Sequence, residues 1–415
     1  MTEDLESFRA RARAFATEHL EPATESTQIG LLRNSRTDEE ELALIGHERE
    51  LQRRFFDASL AGICVPKEYG GQGLTPEHQA ILNDEIAGRE YPIHLQSPTF
   101  APCTAVLLEF GTEEQKTTHI PAILKGEEIW MQFLSEPSGG SDVASAQTTA
   151  TRDGDEWLLN GSKVWTTGAW WSDWGICLAR TNWDVPKHRG LSVFILPIDR
   201  EGIEVHRIEM LNGSKEFCQE FLTDVRVPDS DRIGEVDEGW TVGSRWMFHE
   251  RMGLNSVLVT APAGRGSNSG GFSVTALARA AQSIDDPQVL DLVGEHHMLQ
   301  SVSDALRSRL AQGLASGALS DQASAIGRLF AGRIATRQIT IAFELTGAAG
   351  AAWLEDDGIV AETGNDFLMR QVTCIGGGTT EMAANVVSER VLGFPRERSH
   401  DKELAFRDVP RSPSH

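Results

Sequence analysis

The chain of 415 residues is short of several things, and each shortage excludes something. No apolar run approaches the ~20 residues that span a bilayer as a helix, which argues against a membrane protein. No Lys/Arg-rich stretch occurs, and the formal net charge is −23. A nucleic-acid binder normally carries a basic patch, so that class is set aside. The acid excess reads as a solvated, solubilising surface. The five cysteines, Cys64, Cys103, Cys177, Cys218 and Cys374, are scattered and form no C-x-x-C pair. Neither a zinc site nor a disulfide framework is indicated, and no metal is expected. The opening MTEDLESFRARARAF lacks an apolar signal core, and its early acids argue against a transit peptide. The expectation is a cytoplasmic protein with nothing removed from its N-terminus.

What is present changes character twice. Residues 1–128 read mostly as helix: Asp4 to Leu20 places Leu5, Phe8, Phe15 and Leu20 at helical spacing, and Asp38 to Leu60 is a second helical stretch. Pro66, Gly70, Gly71 and Gly73 mark a loop, and Thr75-Pro76 opens another helix. Residues 129–236 hold short β-rich runs, IWMQFLSE, EWLLNGSKVWTT, DWGICLART, LSVFILPI and EFLTDVRVP. DGDEW and NGSK read as hairpin turns, which predicts a small antiparallel β domain. Residues 237–415 return to helix, with long stretches at Gln288 to Leu314, Gln322 to Thr346 and Glu381 to Val391. A helical bundle fits. The order has no βαβ alternation, so a doubly wound nucleotide fold is excluded.

Three segments carry candidate chemistry. Leu134-Ser-Glu-Pro-Ser-Gly-Gly-Ser-Asp142 leaves a strand into a loop rich in hydroxyls and free N–H groups. Lys163-Val-Trp-Thr-Thr-Gly168 sets a Trp beside two hydroxyls, able to stack on a flat cofactor and hydrogen-bond its edge. Gly376-Gly-Gly-Thr-Thr-Glu-Met382 lets backbone approach closely and opens a helix, an arrangement suited to a pyrophosphate. Taken singly, each also reads as an ordinary turn, core plug or capped helix start. Gly264 to Gly270 lacks the G-x-G-x-x-G spacing and its βαβ setting, and reads as a plain loop. His296-His297 lacks metal-ligand spacing.

Taken in order, the pieces resemble the acyl-CoA dehydrogenase family. They are VPKEYGGQGLT, FGTEEQKTTHIPAILKGEEIWMQFLSEPSGGSD, DGDEWLLNGSKVWTTGA, FLTDVRVP, DEGW…HER and CIGGGTTEMAANVVSERVLGFPRE, spanning about residues 62 to 396. The bacterial branch acting on bulky and steroid side-chain acyl-CoAs looks most similar. The resemblance implies an N-terminal helical domain, a middle β domain and a C-terminal four-helix bundle, with FAD between the last two. It implies that Phe133, Leu134 and Ser135 contact the flavin ring and that Ser141 meets cofactor or thioester. By the same resemblance Trp165 and Thr167 flank the flavin, and Thr379 and Glu381 bind the FAD tail. Gly347, in ELTGAAG, would lie in a loop holding a neighbouring subunit's FAD tail. Arg251 would sit near the pantetheine, and Gly377 and Gly378 would border the substrate. A homodimer or homotetramer is implied, with a heteromer possible, and an electron-transferring flavoprotein as electron acceptor.

Three departures from the family pattern stand out. Many members carry a catalytic glutamate where this chain has Gly377. Others, including isovaleryl-CoA and long-chain enzymes, place it before the arginine of a bundle helix. Phe248-His-Glu-Arg251 matches that placement, so Glu250 is the expected base, with His249 as runner-up. The Arg…Phe-Gly motif for the FAD pyrophosphate is replaced by ALARAAQSIDDPQVLDL, and Ala261 to Gly271 is Gly/Pro/Ser-rich where a helix usually continues. These departures leave two rival readings. One is a subunit that helps build the FAD site without supplying a base; the other is a flavin oxidase or monooxygenase. Finally, Pro92, Pro98 and Pro102 fall where an N-terminal helix floors the family's acyl pocket. Proline inside a helix costs ~3 kcal/mol, so that helix should be short or broken and the pocket wide.

Overall fold

The computed structural model describes residues 3–23, 37–253, 256–262, 273–281, 283–352 and 359–410. The N-terminal helices are α1 (Leu5–His19), α2 (Asp38–Asp57), α3 (Pro76–Glu85), α4 (Ile93–Leu95), α5 (Ala105–Phe110) and α6 (Glu113–Leu124). Their starts are written in the sequence. Asp4 accepts from the backbone of Glu6 and Ser7, while Thr37 with Glu40 and Thr112 with Gln115 form reciprocal capping boxes. Phe8, Phe15, Leu51, Phe55, Leu60 and Leu82 meet in the core between them.

The proline-rich run departs from expectation. It is neither short nor broken: α4 continues through a π-helical stretch, Gln96–Thr104, into α5. Wider winding accommodates Pro102 inside the helix. Side chains occupy carbonyls in this stretch: Cys103 Sγ donates to Pro98 O at 3.3 Å and Thr104 Oγ1 to Thr99 O at 3.2 Å.

Eight strands form one sheet: β1 (Trp130–Phe133), β2 (Thr149–Asp153), β3 (Glu156–Thr167), β4 (Trp174–Arg180), β5 (Leu191–Pro197), β6 (Ile203–Ile208), β7 (Phe217–Pro228) and β8 (Arg232–Ile233). The order is β6-β7-β3-β2-β4-β5-β8, with β1 beside β4. The sheet is mixed rather than antiparallel, because β1 runs parallel to β4. β4 and β5 are buried on both faces, which explains their unbroken apolar runs. One face shares the N-terminal core through Ile176, Leu178, Val193 and Ile195; the other packs Phe133, Trp157, Phe194 and Val225.

DGDEW does turn between β2 and β3, but NGSK does not: β3 runs straight through it with a register shift between Leu159 and Gly161. Gly161 has φ +154°, and a Cβ there would lie 2.6 Å from Thr148 Oγ1. The glycine serves a close backbone approach and bulge, not a reversal.

Helix returns with α7 (Gly239–Met252), α8 (Val274–Ala280), α9 (Pro287–Ala315), α10 (Ser324–Ala352), α11 (Ile359–Met369) and α12 (Thr380–Val386). Helices α8, α9 and α11 pack on α10 around Leu277, Ile341, Leu345 and Val360. α7 packs on the sheet and the π-helical stretch, with Trp246 fully buried in the N-terminal core. The chain after α7 then threads inward. Val259 and Ala261 join the N-terminal core, and Gln96 and Asn83 accept from the backbone of Thr260 and Ala261. The loop reading of Gly264 to Gly270, and the rest of the Gly-rich stretch from 263 on, fall outside the described residues. Residues near the C-terminus return to the sheet, where Phe406 N–H donates to Val185 O at 2.9 Å. Among the described residues no helix is long and apolar enough to cross a membrane.

Candidate active site

The end of β1 is fixed from below by a buried cation. Lys163 occupies the inward phase of β3 and is fully buried. Its ammonium donates to Glu136 Oε1 at 2.8 Å, Leu178 O at 2.7 Å and Leu134 O at 3.3 Å. Glu136 also accepts from the backbone of Gln147 at 2.6 Å and Thr148 at 2.9 Å. Burial pushes its carboxyl up, but Lys163 and these donors together hold it below the ordinary carboxylate value. Phe133 is buried, Leu134 and Ser135 are half-buried, and Val164 N–H donates to Ser135 O at 3.0 Å. The candidate segments on β1 and β3 are thus neighbours. Ser141 is exposed farther along the same loop.

Trp165 sits on a second irregularity. The pairing of β3 with β7 shifts between Val164 and Thr166, and Trp165 has φ +66°. A positive φ on an aromatic residue is strained and points to a functional constraint. The bulge turns Thr166 inward and leaves Trp165 54 % exposed, its ring edge-on to Phe217 at 5.9 Å. Thr167, half-buried, follows it. A flat indole held open beside a hydroxyl fits a planar heteroaromatic ring, so the residues present suit a flavin.

Glu250 lies on α7, against the π-helical stretch. It is half-buried by surface, yet enough protein surrounds it that desolvation raises its carboxyl above the ordinary value; Arg251 partly opposes this. Among the described residues no hydrogen bond or ion pair engages its side chain. Its charge reaches Cys103, whose thiol is raised first by burial and then by Glu250. His249 is engaged elsewhere, 2.7 Å from Glu109, which also takes two bonds from Arg245. Arg251 is exposed.

The third group lies on the bundle. Arg328 of α10 donates to Thr373 O at 2.9 Å and Gly376 O at 2.8 Å, fixing the Gly-rich segment. Gly377 and Gly378 have φ +67° and +94°. Thr379 caps α12, accepting from Met382 N–H at 3.1 Å, and Glu381 stands exposed in its first turn. Gly347 is exposed at a break in α10, where its non-helical backbone (φ +51°) joins two helical segments rather than forming an extended loop. Among the described residues no group of His, Cys, Asp or Glu could hold a metal ion. His296 is half-buried and His297 exposed.

Sequence reading gave no role to Lys163, Glu136, Gln132, Glu220 and Trp246, which support these positions from within, and took Thr166 only as a hydroxyl beside Trp165. A signal existed for two of them: Lys163 follows Trp157 and Leu159 in the inward phase of β3, and Glu220 sits between inward-facing Cys218 and Leu222.

Models of the acyl-CoA dehydrogenase N-terminal, middle and C-terminal domains match residues 2–127, 132–225 and 237–392. The chain is 30 % identical to acyl-CoA dehydrogenase IpdE1 of Mycobacterium tuberculosis, over 95 % of this chain and 99 % of that protein. It is also 30 % identical to IpdE1 of Mycolicibacterium smegmatis, over 85 % and 90 % of the two chains. Among solved structures, the Tcur3481-Tcur3483 steroid ACAD superposes with a TM-score of 0.75 at 28 % identity, covering 95 % of this chain and 98 % of the other. The ChsE4-ChsE5 complex of Mycobacterium tuberculosis gives 0.69 at 26 % identity, covering 96 % and 99 %. The chain belongs to the acyl-CoA dehydrogenase family of FAD-dependent oxidoreductases.

Proposed function

We propose that the chain removes two hydrogens across the α–β bond of an acyl-CoA thioester, giving the trans-2-enoyl-CoA, with Glu250 as the base. The observation that carries this is the state of Glu250: a desolvated carboxylate with a raised proton affinity and, among the described residues, no internal partner. A base must accept a carbon-bound proton, and a desolvated carboxylate is better matched to that task than a solvated one. Gly377 cannot do this, and His249 is committed to Glu109. Phe133, Leu134, Ser135, Trp165 and Thr167 would hold the flavin ring, and Gly347, Thr379 and Glu381 the FAD tail. When bound, FAD supplies the acceptor for the β-hydrogen and passes electrons to an electron-transferring flavoprotein. Ser141, Arg251, Gly377 and Gly378 would face the substrate, with Arg251 toward the CoA arm.

For the acyl group we infer a bulky, ring-bearing or branched chain. The similar steroid ACAD supports this; the run over Gln96–Thr104, continuous helix rather than the broken one that implies a wide pocket, does not. That structure and the ChsE4-ChsE5 complex each name two chains, which supports assembly with a second subunit, identical or different. The test is purified protein, its absorption spectrum, and a panel of acyl-CoAs with an artificial electron acceptor. A colourless protein after added FAD would end the cofactor reading. A clear preference for butyryl-CoA would end the bulky-substrate reading.

A further inference from the structure

Glu220 is a buried carboxyl that the proposed chemistry does not use. It projects from β7 beneath the Trp165 bulge and is fully buried. Thr166 Oγ1 lies 2.9 Å from its Oε2, while its Oε1 has no partner among the described residues. Lys163 is its cross-strand neighbour, but the three hydrogens of that ammonium are directed at Glu136, Leu178 and Leu134. The same Thr166 hydroxyl lies 3.4 Å from Gln132 O, and Gln132 Oε1 accepts from Trp246 Nε1 at 2.5 Å. Trp246 stands one helical turn before Glu250 on α7. One buried chain of contacts therefore joins β7, the β3 bulge, β1 and the helix of the proposed base.

A single Thr166 hydrogen cannot serve both Glu220 and Gln132 fully. If Glu220 Oε2 carries a proton and donates it to Thr166 Oγ1, the threonine hydrogen is free for the Gln132 carbonyl, and both acceptors are met. The neutral carboxyl fits the site: the charged form would have the Thr166 hydrogen as its side-chain donor, taken from Gln132 O, and its Oε1 would stay unmet.

We propose that Glu220 is a positioning residue, which as a neutral carboxyl clamps Thr166 and so fixes how the bulge presents Trp165 and Thr167 to the flavin. This rests on the reading of those two residues as flavin-flanking. Burial pushes the Glu220 carboxyl up to about 8, so in mildly alkaline solution the Thr166 hydrogen is drawn to the carboxylate and the clamp opens on its Gln132 side. The groups facing it do not titrate there: Glu136 is lowered, and Cys177 on β4 and Cys218 on β7 are pushed up to about 12. Lys163 on β3 is the remaining charge, held in its ion pair with Glu136.

The experiment compares full-length wild type, Glu220→Gln and Glu220→Ala at pH 7 and pH 9. It reads FAD dissociation constants by flavin fluorescence, and hydrogen exchange of residues 163–168 in the flavin-free proteins. A group titrating near 8 falls about tenfold in its neutral fraction between these pH values. Wild type should therefore bind FAD about tenfold more weakly at pH 9. Glutamine donates as the neutral acid does, so Glu220→Gln should hold the pH 7 affinity at both. Glu220→Ala should bind weakly at both, with faster exchange at 163–168. Glu220→Gln following the wild-type decline would overturn the proposal, as would Glu220→Ala with wild-type affinity and exchange. If the alanine variant does not fold, the pH comparison of wild type with Glu220→Gln decides alone. A wild type that binds no FAD at either pH refutes the flavin reading instead, and the exchange comparison still tests the clamp.

Discussion

Replacing Lys163 by Met tests the foundation of the site most directly. The side chain keeps its length and apolar stem but loses the ammonium. Glu136 then remains buried and charged, with only the Gln147 and Thr148 backbone donors. Removing one partner of a buried ion pair typically costs ~3–5 kcal/mol, because the other charge is stranded. That is a large share of the ~5–15 kcal/mol by which a domain is stable. The pH dependence carries the sharper test. In the wild type Glu136 is held below its ordinary value, so its contribution is present at neutral pH and is lost as pH falls through that lowered value. Without Lys163, burial becomes the dominant influence and raises it. The stabilising contribution is then full only below the unfolded-state value of about 4.5 and is lost as pH rises. The stability deficit of Lys163→Met should thus be greatest near pH 7 and shrink toward pH 5. Urea unfolding of both proteins at the two pH values measures this. Adding Glu136→Gln should recover part of the loss at pH 7, as coupled neighbours do. A deficit under ~1 kcal/mol at pH 7, the range of an exposed pair, would refute the reasoning. So would a deficit that grows on acidification.

Glu250→Gln should retain FAD and acyl-CoA binding while turnover falls ~10²–10⁴-fold, the usual scale for a positioned base; near-normal rates in a stopped-flow flavin-bleaching assay would remove the assignment. Because desolvation raises the Glu250 carboxyl, wild-type kcat/KM should climb with pH through an acid limb above the ordinary carboxylate range. A limb at the ordinary value would mean a solvated base. Gly175→Ala places a Cβ 2.6–2.9 Å from three atoms of the fully buried Phe133 ring. Overpacking of this kind costs ~1–3 kcal/mol, so melting temperature and flavin retention should fall together; an unchanged protein would show that the ring can move.

How much of this was readable beforehand depends on the range of the signal. Helix starts were legible because a cap is a contact over three residues, as Thr37 with Glu40 shows. The buried strands β4 and β5 were legible because burial on both faces leaves an apolar run. NGSK misled because Asn-Gly usually reverses a chain, whereas the close approach of Thr148, thirteen residues earlier in sequence, decides the conformation of Gly161. The parallel pairing of β1 with β4 joins Trp130 to Trp174 across intervening strands, and nothing local records it. The prolines were read as helix breakers, a rule for α-helix geometry. The π-helical stretch escapes it by wider winding and by carbonyls capped from Cys103 and Thr104.

The same distinction bears on the two candidate locations for the base. Glu250 was visible as a motif, and its raised proton affinity comes from packing that no motif states. Gly377 was visible as a missing carboxylate, but its backbone has φ +67° and is followed by Gly378 at +94°. The left-handed region costs an ordinary side chain roughly 1–2 kcal/mol per residue. A glutamate at 377 would meet that strain in this backbone, although a Cβ there would meet no neighbouring atom within 4 Å. The segment is held from behind by Arg328, which grips the carbonyls of Thr373 and Gly376. The glycine at 377 thus belongs to a backbone shape that suits close approach by a ligand. In the proposed assignment the departure at 377 and the carboxylate at 250 are two halves of one arrangement: the bundle segment would supply backbone, and the helix against the π-helical stretch would supply the proton acceptor.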